Sequence, residues 1–296
     1  MPCLYGVLQR CCDFNAFFRK RRLLPKVILG YFGRATPFRY LLNPHQMSIR
    51  QNILITGASS GLGEGMAREY ARLGRNLALC ARRTDRLDAL KTELEAANPA
   101  IKIFVRALDV NDHDQVFDVF RAFQADLGTI DRVIVNAGLG KGAPLGTGQF
   151  SANLQTAQTN FVAALAQCEA ALEIFRAQNA GHLVAISSVA AMRGMPRAQT
   201  TYAATKAGLA ALAEGIRAEL LNSPIRVSIL YPGYIRSEIN AKLKNTPFMV
   251  DTETGCRALV KAIEREPVQA FVPGWPWAVV ARAMKWLPLR WVQKLL

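Results

Sequence analysis

Short apolar runs alternate with longer amphipathic stretches from Asn52 to Val272. The run Asn52–Thr56 (NILIT) is apolar without alternation and ends at a glycine-rich turn, which predicts a strand covered on both faces. Similar runs predict strands at Leu77–Ala81, Ile101–Arg106, Arg132–Val135, His182–Ser187, Ile225–Leu230 and Ala270–Val272. Between them, apolar positions recur at helical spacing after Gly63 (EGMAREYARLG), over 84–97, 112–127 and 151–177, through TTYAATKAGLAALAEGIRAELL, and over 251–265. Strand follows helix throughout, with no second repeat and no low-complexity linker. That order predicts one α/β domain: a doubly wound, Rossmann-like parallel sheet with helices on both faces. Ligands of such a sheet bind at the carboxyl ends of its strands.

Candidate chemistry gathers at those ends. Thr56-Gly57-Ala58-Ser59-Ser60-Gly61-Leu62-Gly63 joins the first strand to the first helix. Glycines there permit a tight turn and close backbone approach to a phosphate, and the helix start offers unpaired N–H groups. The second strand ends in Arg82-Arg83 where an acidic residue would bind the ribose 2′-hydroxyl of NAD; paired arginines suit a 2′-phosphate, or are solvated surface charges. Asp109, beside Val110, follows the third strand, where it either contacts adenine or caps the next helix. Asn136-Ala137-Gly138 closes the fourth strand with side chains small enough to admit a flat cofactor. Asn160 sits among apolar neighbours, as a structural strut or part of a polar site. Ser187-Ser188 closes the fifth strand. Tyr202 and Lys206 lie four apart on one helix face. Such a pair meets by accident on a solvated helix, or serves acid/base work in which the ammonium lowers the phenol pKa.

Composition narrows the partners. Charged residues make up 20 % and apolar residues 51 % of 296 positions, a globular balance. Six cysteines show neither Cys-x-x-Cys nor Cys/His ligand spacing, so reduced thiols in a cytosol-like compartment and no metal site are expected. No apolar run is long enough for a transmembrane helix. The net charge of +15 concentrates in residues 1–46 and in the last segment, beside apolar and aromatic residues. Basic ends of that kind suit an anionic membrane surface at least as well as nucleic acid, for which no recognition motif is present. Residues 1–46 are an upstream extension ahead of a start at Met47, a membrane-contacting arm, or a targeting peptide.

In these motifs the chain resembles the short-chain dehydrogenase/reductase family, over about residues 50 to 273. Thr56-Gly57, Gly61 and Gly63 resemble its cofactor loop, Asn136-Ala137-Gly138 its N-A-G element, and Pro232-Gly233 its P-G turn. Asn160, Ser188, Tyr202 and Lys206 match its Asn-Ser-Tyr-Lys catalytic set. Val135 replaces the first Asn of the usual N-N-A-G, and Ser188 stands one position further from Tyr202 than is common, a residue the loop 196–201 absorbs. The resemblance implies a cofactor lined by Gly57, Ser59, Ser60, Gly61, Leu62, Gly63, Arg82, Arg83, Asp109, Val110, Asn136, Ala137, Gly138, Tyr202, Lys206, Pro232, Gly233 and Ile235. It implies that Tyr202 exchanges a proton with a carbonyl or alcohol oxygen that Ser188 also binds. Lys206 then lowers the Tyr202 pKa and holds the nicotinamide ribose, while Asn160 anchors a water.

NADP(H), rather than NAD(H), is the cofactor expected from Arg82 and Arg83. The segment 234–250, with Ile235, Ile239, Leu243, Pro247, Phe248 and Met249, covers the site in the family; its apolar character suits a lipid-, steroid- or retinoid-like ketone or alcohol, or only packs the segment. The tail 275–296 holds Trp275, Trp277, Trp286 and Trp291 with Arg282, Lys285, Arg290 and Lys294. It packs on its own domain, on a homo-oligomeric partner, or on a membrane surface. A catalytically silent dinucleotide-binding protein is the rival reading, and it leaves the proton-transfer residues without a use. The place of action expected is the cytoplasm, with membrane association through the basic termini.

Overall fold

The computed structural model describes residues 49–240 and 246–294. The readings of residues 1–46 and of Leu243 lie outside them. Seven parallel strands form one sheet in the order β3-β2-β1-β4-β5-β6-β7. In chain order these are β1 (Asn52–Thr56), β2 (Asn76–Ala81), β3 (Ile103–Ala107), β4 (Arg132–Val135), β5 (Gly181–Ile186), β6 (Ile225–Pro232) and β7 (Gln269–Val272). The helices between them are α1 (Gly61–Arg72), α2 (Thr84–Ala97), α3 (His113–Leu127), α4 (Phe150–Ala157), α5 (Ala163–Gln178), α6 (Gln199–Glu219) and α7 (Thr252–Ile263). Two more, α8 (Gly274–Trp286) and α9 (Leu289–Lys294), follow β7.

Strand side chains alternate between the two faces, so Ile53 and Ile55 join one core and Leu54 the other. One core takes Met66 and Tyr70 of α1, Leu87 and Leu90 of α2, and Leu259 and Ile263 of α7. The other takes Phe120 and Phe123 of α3, Phe175 of α5 and Leu209 of α6. This is the doubly wound arrangement expected, and its order reverses between β1 and β4, where a crevice opens at the carboxyl ends.

Two expectations are corrected. The stretch 151–177 is not one regular helix: a π-helical turn, Gln158–Val162, separates α4 from α5 and carries Asn160. An extra residue in a helical turn re-aims the side chains around it, and such turns recur at functional sites. The third strand begins at Ile103 rather than Ile101, whose side chain packs in the core ahead of the ladder.

Candidate active site

The loop after β1 is shaped by backbone approach. Gly57 and Gly61 hold positive φ of 65° and 59°, a region L side chains enter only with strain. A Cβ on Gly57 would sit 2.9 Å from the Ala137 Cα, and one on Gly63 would collide with the Gly57 carbonyl. Thr56 locks this loop to the end of β4: its hydroxyl accepts from the Asn136 and Ala137 amides, both at 3.1 Å, and the Asn136 side chain donates to the Thr56 carbonyl at 2.9 Å. Asn136 therefore secures the loop, while Ala137 and Gly138 line the crevice.

The same crevice is lined by Gly57, Ser59, Ser60, Arg82, Arg83, Asp109 and Val110. Arg83 donates to the Ser59 hydroxyl at 3.2 Å and the Ser60 hydroxyl at 2.7 Å. Arg82 is exposed beside it. Asp109 does not cap α3, since Asp112 does, accepting from the Gln115 amide at 3.1 Å; the Asp109 carboxylate instead accepts from the Asn111 amide at 3.1 Å. Leu62 and Ile235 turn into the core. Glycines without room for a side chain, serine hydroxyls and an arginine at the β2 end make a chemically suitable seat for a dinucleotide. A second cleft is lined by Ser60, Gly61, Glu64 and Arg68, but Arg68 pairs with Glu64 and Arg72 with Glu69 along its α1 wall and Arg72 reaches Glu253 of α7, which marks an ion-paired surface groove.

At the carboxyl end of β5, Ser187 and Ser188 part ways. The Ser187 hydroxyl donates to the Lys206 carbonyl at 2.8 Å and is thereby spent on α6. Ser188 accepts from the Ala190 amide at 3.2 Å, starts a one-turn 3₁₀ helix (Val189–Met192), and presents its hydroxyl to Tyr202. Lys206, buried, donates to the Ile186 carbonyl at 2.9 Å. A Cβ on Gly138 would lie 3.2 Å from the Asn160 Oδ1 and 3.4 Å from the Lys206 Nζ, so these three groups meet. The buried Asn160 amide clamps Leu139, accepting from its N–H at 2.6 Å and donating to its carbonyl at 2.8 Å.

The expected acidification of Tyr202 is corrected. Burial raises its pKa above the ordinary 10.0, and the Ser188 hydrogen bond opposes the rise. Burial brings Lys206 down to about 8. An ammonium already committed to a carbonyl in a low-dielectric site gives the phenolate little, whereas desolvation penalises each charged form directly.

Sequence reasoning did not place the tail at the site. Trp277 of α8 seats its indole against Gly233, where any Cβ would collide with it. It meets Tyr234 and Phe248 edge-on, with centroids 5.5 and 6.0 Å away. Met284, Val280 and Leu287 pack with Met195 around Tyr202, and Arg193 holds the helix end through the Lys285 and Leu287 carbonyls at 3.1 and 3.2 Å. The helical spacing of Trp277, Ala281 and Met284, all buried, was the legible signal.

Residues 51–247 match the family model for short chain dehydrogenase. An uncharacterized oxidoreductase of Mycobacterium tuberculosis is 58 % identical over 241 residues, covering 81 % of this chain and 95 % of that protein. An alcohol dehydrogenase from Thermococcus sibiricus, complexed with 5-hydroxy-NADP, is 25 % identical with a TM-score of 0.66, over 75 % of this chain and 95 % of that one. A Burkholderia phymatum short chain dehydrogenase/reductase in complex with NAD shares the fold at a TM-score of 0.70 and 21 % identity, over 78 % of this chain and 92 % of that one.

Proposed function

The chain belongs to the short-chain dehydrogenase/reductase family and is an NAD(P)-dependent oxidoreductase; from that premise we propose that it interconverts a hydrophobic ketone and its secondary alcohol with NADP(H). One observation carries the reading: Tyr202, Ser188 and Lys206 gather at the end of β5, next to the glycine seat at the ends of β1 and β4. The bound nicotinamide supplies or accepts the hydride. Tyr202 gives a proton to the carbonyl oxygen, or takes one from the alcohol, and its raised pKa keeps it protonated for the reductive direction at neutral pH. The Ser188 hydroxyl bonds the same oxygen and stabilises its developing charge. Lys206, buried between the Ile186 carbonyl and Asn160 beside Gly138, would hold the nicotinamide ribose hydroxyls. Asn160 holds the Leu139 backbone and, beside Lys206, keeps that ammonium in register with Gly138.

Arg83, with the Ser59 and Ser60 hydroxyls, supports NADP(H) over NAD(H), because a 2′-phosphate needs clustered donors at the β2 end. The apolar surfaces of Trp277, Tyr234, Phe248 and Met284, packed on the Pro232-Gly233 turn and the surroundings of Tyr202, support an apolar substrate. Peripheral contact with an anionic membrane is supported by the outer side of the tail, where Trp275, Trp286, Leu289 and Trp291 are exposed beside Arg282, Lys285 and Arg290. Among the described residues no helix is long and apolar enough to cross a membrane.

Oxidation of NADPH and NADH against ketones of graded chain length tests the reading. Turnover is expected to favour NADPH and longer apolar ketones, and Tyr202→Phe to lower kcat by about 10²–10⁴ while NADPH still binds. Full turnover by Tyr202→Phe would overturn the assignment.

A further inference from the structure

The Arg83 guanidinium holds more than the two serines. Its Nη2 and Nη1 donate to the two carboxylate oxygens of Glu238 at 3.1 and 3.4 Å. Arg86, further along α2, donates to the same carboxylate at 2.6 Å. Arg86 and then Arg83, with a smaller share from the Ser60 hydroxyl, hold the Glu238 carboxyl down at about 2, so it is an anion at any working pH. Glu238 begins a one-turn 3₁₀ helix, Glu238–Asn240, which follows the Pro232-Gly233 turn. Asn240 fixes that turn, accepting from the Ser237 amide at 2.8 Å and donating to the Ile235 carbonyl at 2.6 Å. Ser237 reaches over the glycine loop: a Cβ on Gly61 would lie 3.3 Å from its Cβ. The chain after β6 is thus folded down onto the loop after β1 by a carboxylate sitting in a set of anion donors.

Two guanidiniums and a hydroxyl converging on one point are what a phosphate monoester needs. They lie at the end of β2, where a dinucleotide fold meets the 2′ position of the adenosine ribose. The carboxylate is displaceable, because the side chains of Glu238 and Arg83 are 54 % and 40 % exposed and solvent-screened pairs are weak. Asp85 and Glu64 add negative charge near Arg86, so the site does not accommodate a carboxylate and a phosphate together without repulsion.

We propose that Glu238 is a tethered occupant of the 2′-phosphate site, so that NADP(H) binds by displacing its carboxylate from Arg83 and Arg86, whereas NAD(H) leaves it in place. This rests on the NADP(H) reading above. It makes Glu238 a specificity-determining residue, set to temper rather than create the preference for the phosphorylated cofactor. It also couples the 2′-phosphate to the turn at 237–240: NADPH frees that turn and NADH does not.

The test is binding, not turnover. NADPH, NADH and 2′,5′-ADP are titrated into the full chain by calorimetry, for the unmodified protein, Glu238→Gln, Arg83→Ala and the double variant. Removing the competing charge is expected to tighten NADPH and 2′,5′-ADP about two- to fivefold, the scale of an exposed ion pair, and to leave NADH unchanged. Arg83→Ala is expected to weaken NADPH about tenfold or more and NADH little, and in its background Glu238→Gln loses most of its effect. Amide exchange at 237–240 should rise with NADPH and not with NADH. If Glu238→Gln binds NADPH no tighter while Arg83→Ala still loses it selectively, the tethered-occupant proposal is wrong and the NADP(H) reading stands. If Arg83→Ala treats both cofactors alike, the 2′-phosphate is not read at this strand end and both fall.

Discussion

Lys206 shows how a reactive side chain is made by its surroundings. Its ammonium donates to the Ile186 carbonyl beside Gly138 and Asn160, and burial brings its pKa from 10.5 to about 8. The folded value lies below the unfolded one, so between about pH 8 and 10.5 the unfolded chain binds more protons and stability rises with pH. Below pH 8 the fold carries the full cost of the buried charge, up to about 3 kcal/mol. Lys206→Met is therefore expected to lose activity yet unfold at equal or higher urea concentration at pH 7, with the gain vanishing by about pH 10.5. A less stable variant at pH 7 would show that the ammonium supports the fold. The spacing of Tyr202 and Lys206 was readable along the chain, because i and i+4 share a face of any helix. The direction of the Tyr202 shift was not, since it depends on how much water the folded site excludes.

Among the elements, α8 has two faces with different work. Trp277, Ala281 and Met284 point inward, toward Gly233 and the surroundings of Tyr202. Trp275, Val279 and Trp286 point outward, and α9 adds Leu289 and Trp291 to that exposed apolar strip. A helix with one face on its own domain and the other lined by tryptophan and arginine suits a lipid interface, where indole rings and cations both find partners. Vesicles containing phosphatidylserine are expected to sediment the full chain, and the Trp286→Ala/Trp291→Ala pair to abolish it without loss of fold. Equal sedimentation of both proteins would remove the membrane role. The π-helical turn around Asn160 teaches a related lesson, because the residues of 151–177 keep helical spacing across it and give no local sign of the insertion.

Over the whole molecule, reactive and stabilising groups occupy opposite ends of the sheet. At the amino ends of β4 and β5, buried Arg132 donates to His182 Nδ1 at 2.8 Å, contacts Glu264, and lies 3.5 Å from Glu266. His182 Nε2 meets the Ser228 hydroxyl at 2.8 Å. Burial and Arg132 hold the imidazole pKa well below 6.5, so His182 stays neutral and stability falls as pH drops through the unfolded value. Arg132→Met strands these partners and is expected to cost about 3–5 kcal/mol in urea unfolding, with NADPH affinity unchanged. Unaltered stability would show the network to be ornamental.

The order of strands and helices, the glycine loop and the Tyr-x-x-x-Lys pair were settled by the chain itself, because each depends on neighbours a few residues apart: periodicity selects the element, glycine selects the turn, and one helical turn brings i and i+4 together. Contacts between distant segments belonged to the tertiary structure. Only folding spent the Ser187 hydroxyl on the Lys206 carbonyl, set Trp277 on Gly233, gave Asp112 rather than Asp109 the cap of α3, and laid Glu238 on Arg83. Arg83 and Glu238 are 155 positions apart, and no local pattern encodes a pairing at that separation. It exists because the sheet carries the ends of β2 and β6 to the same edge.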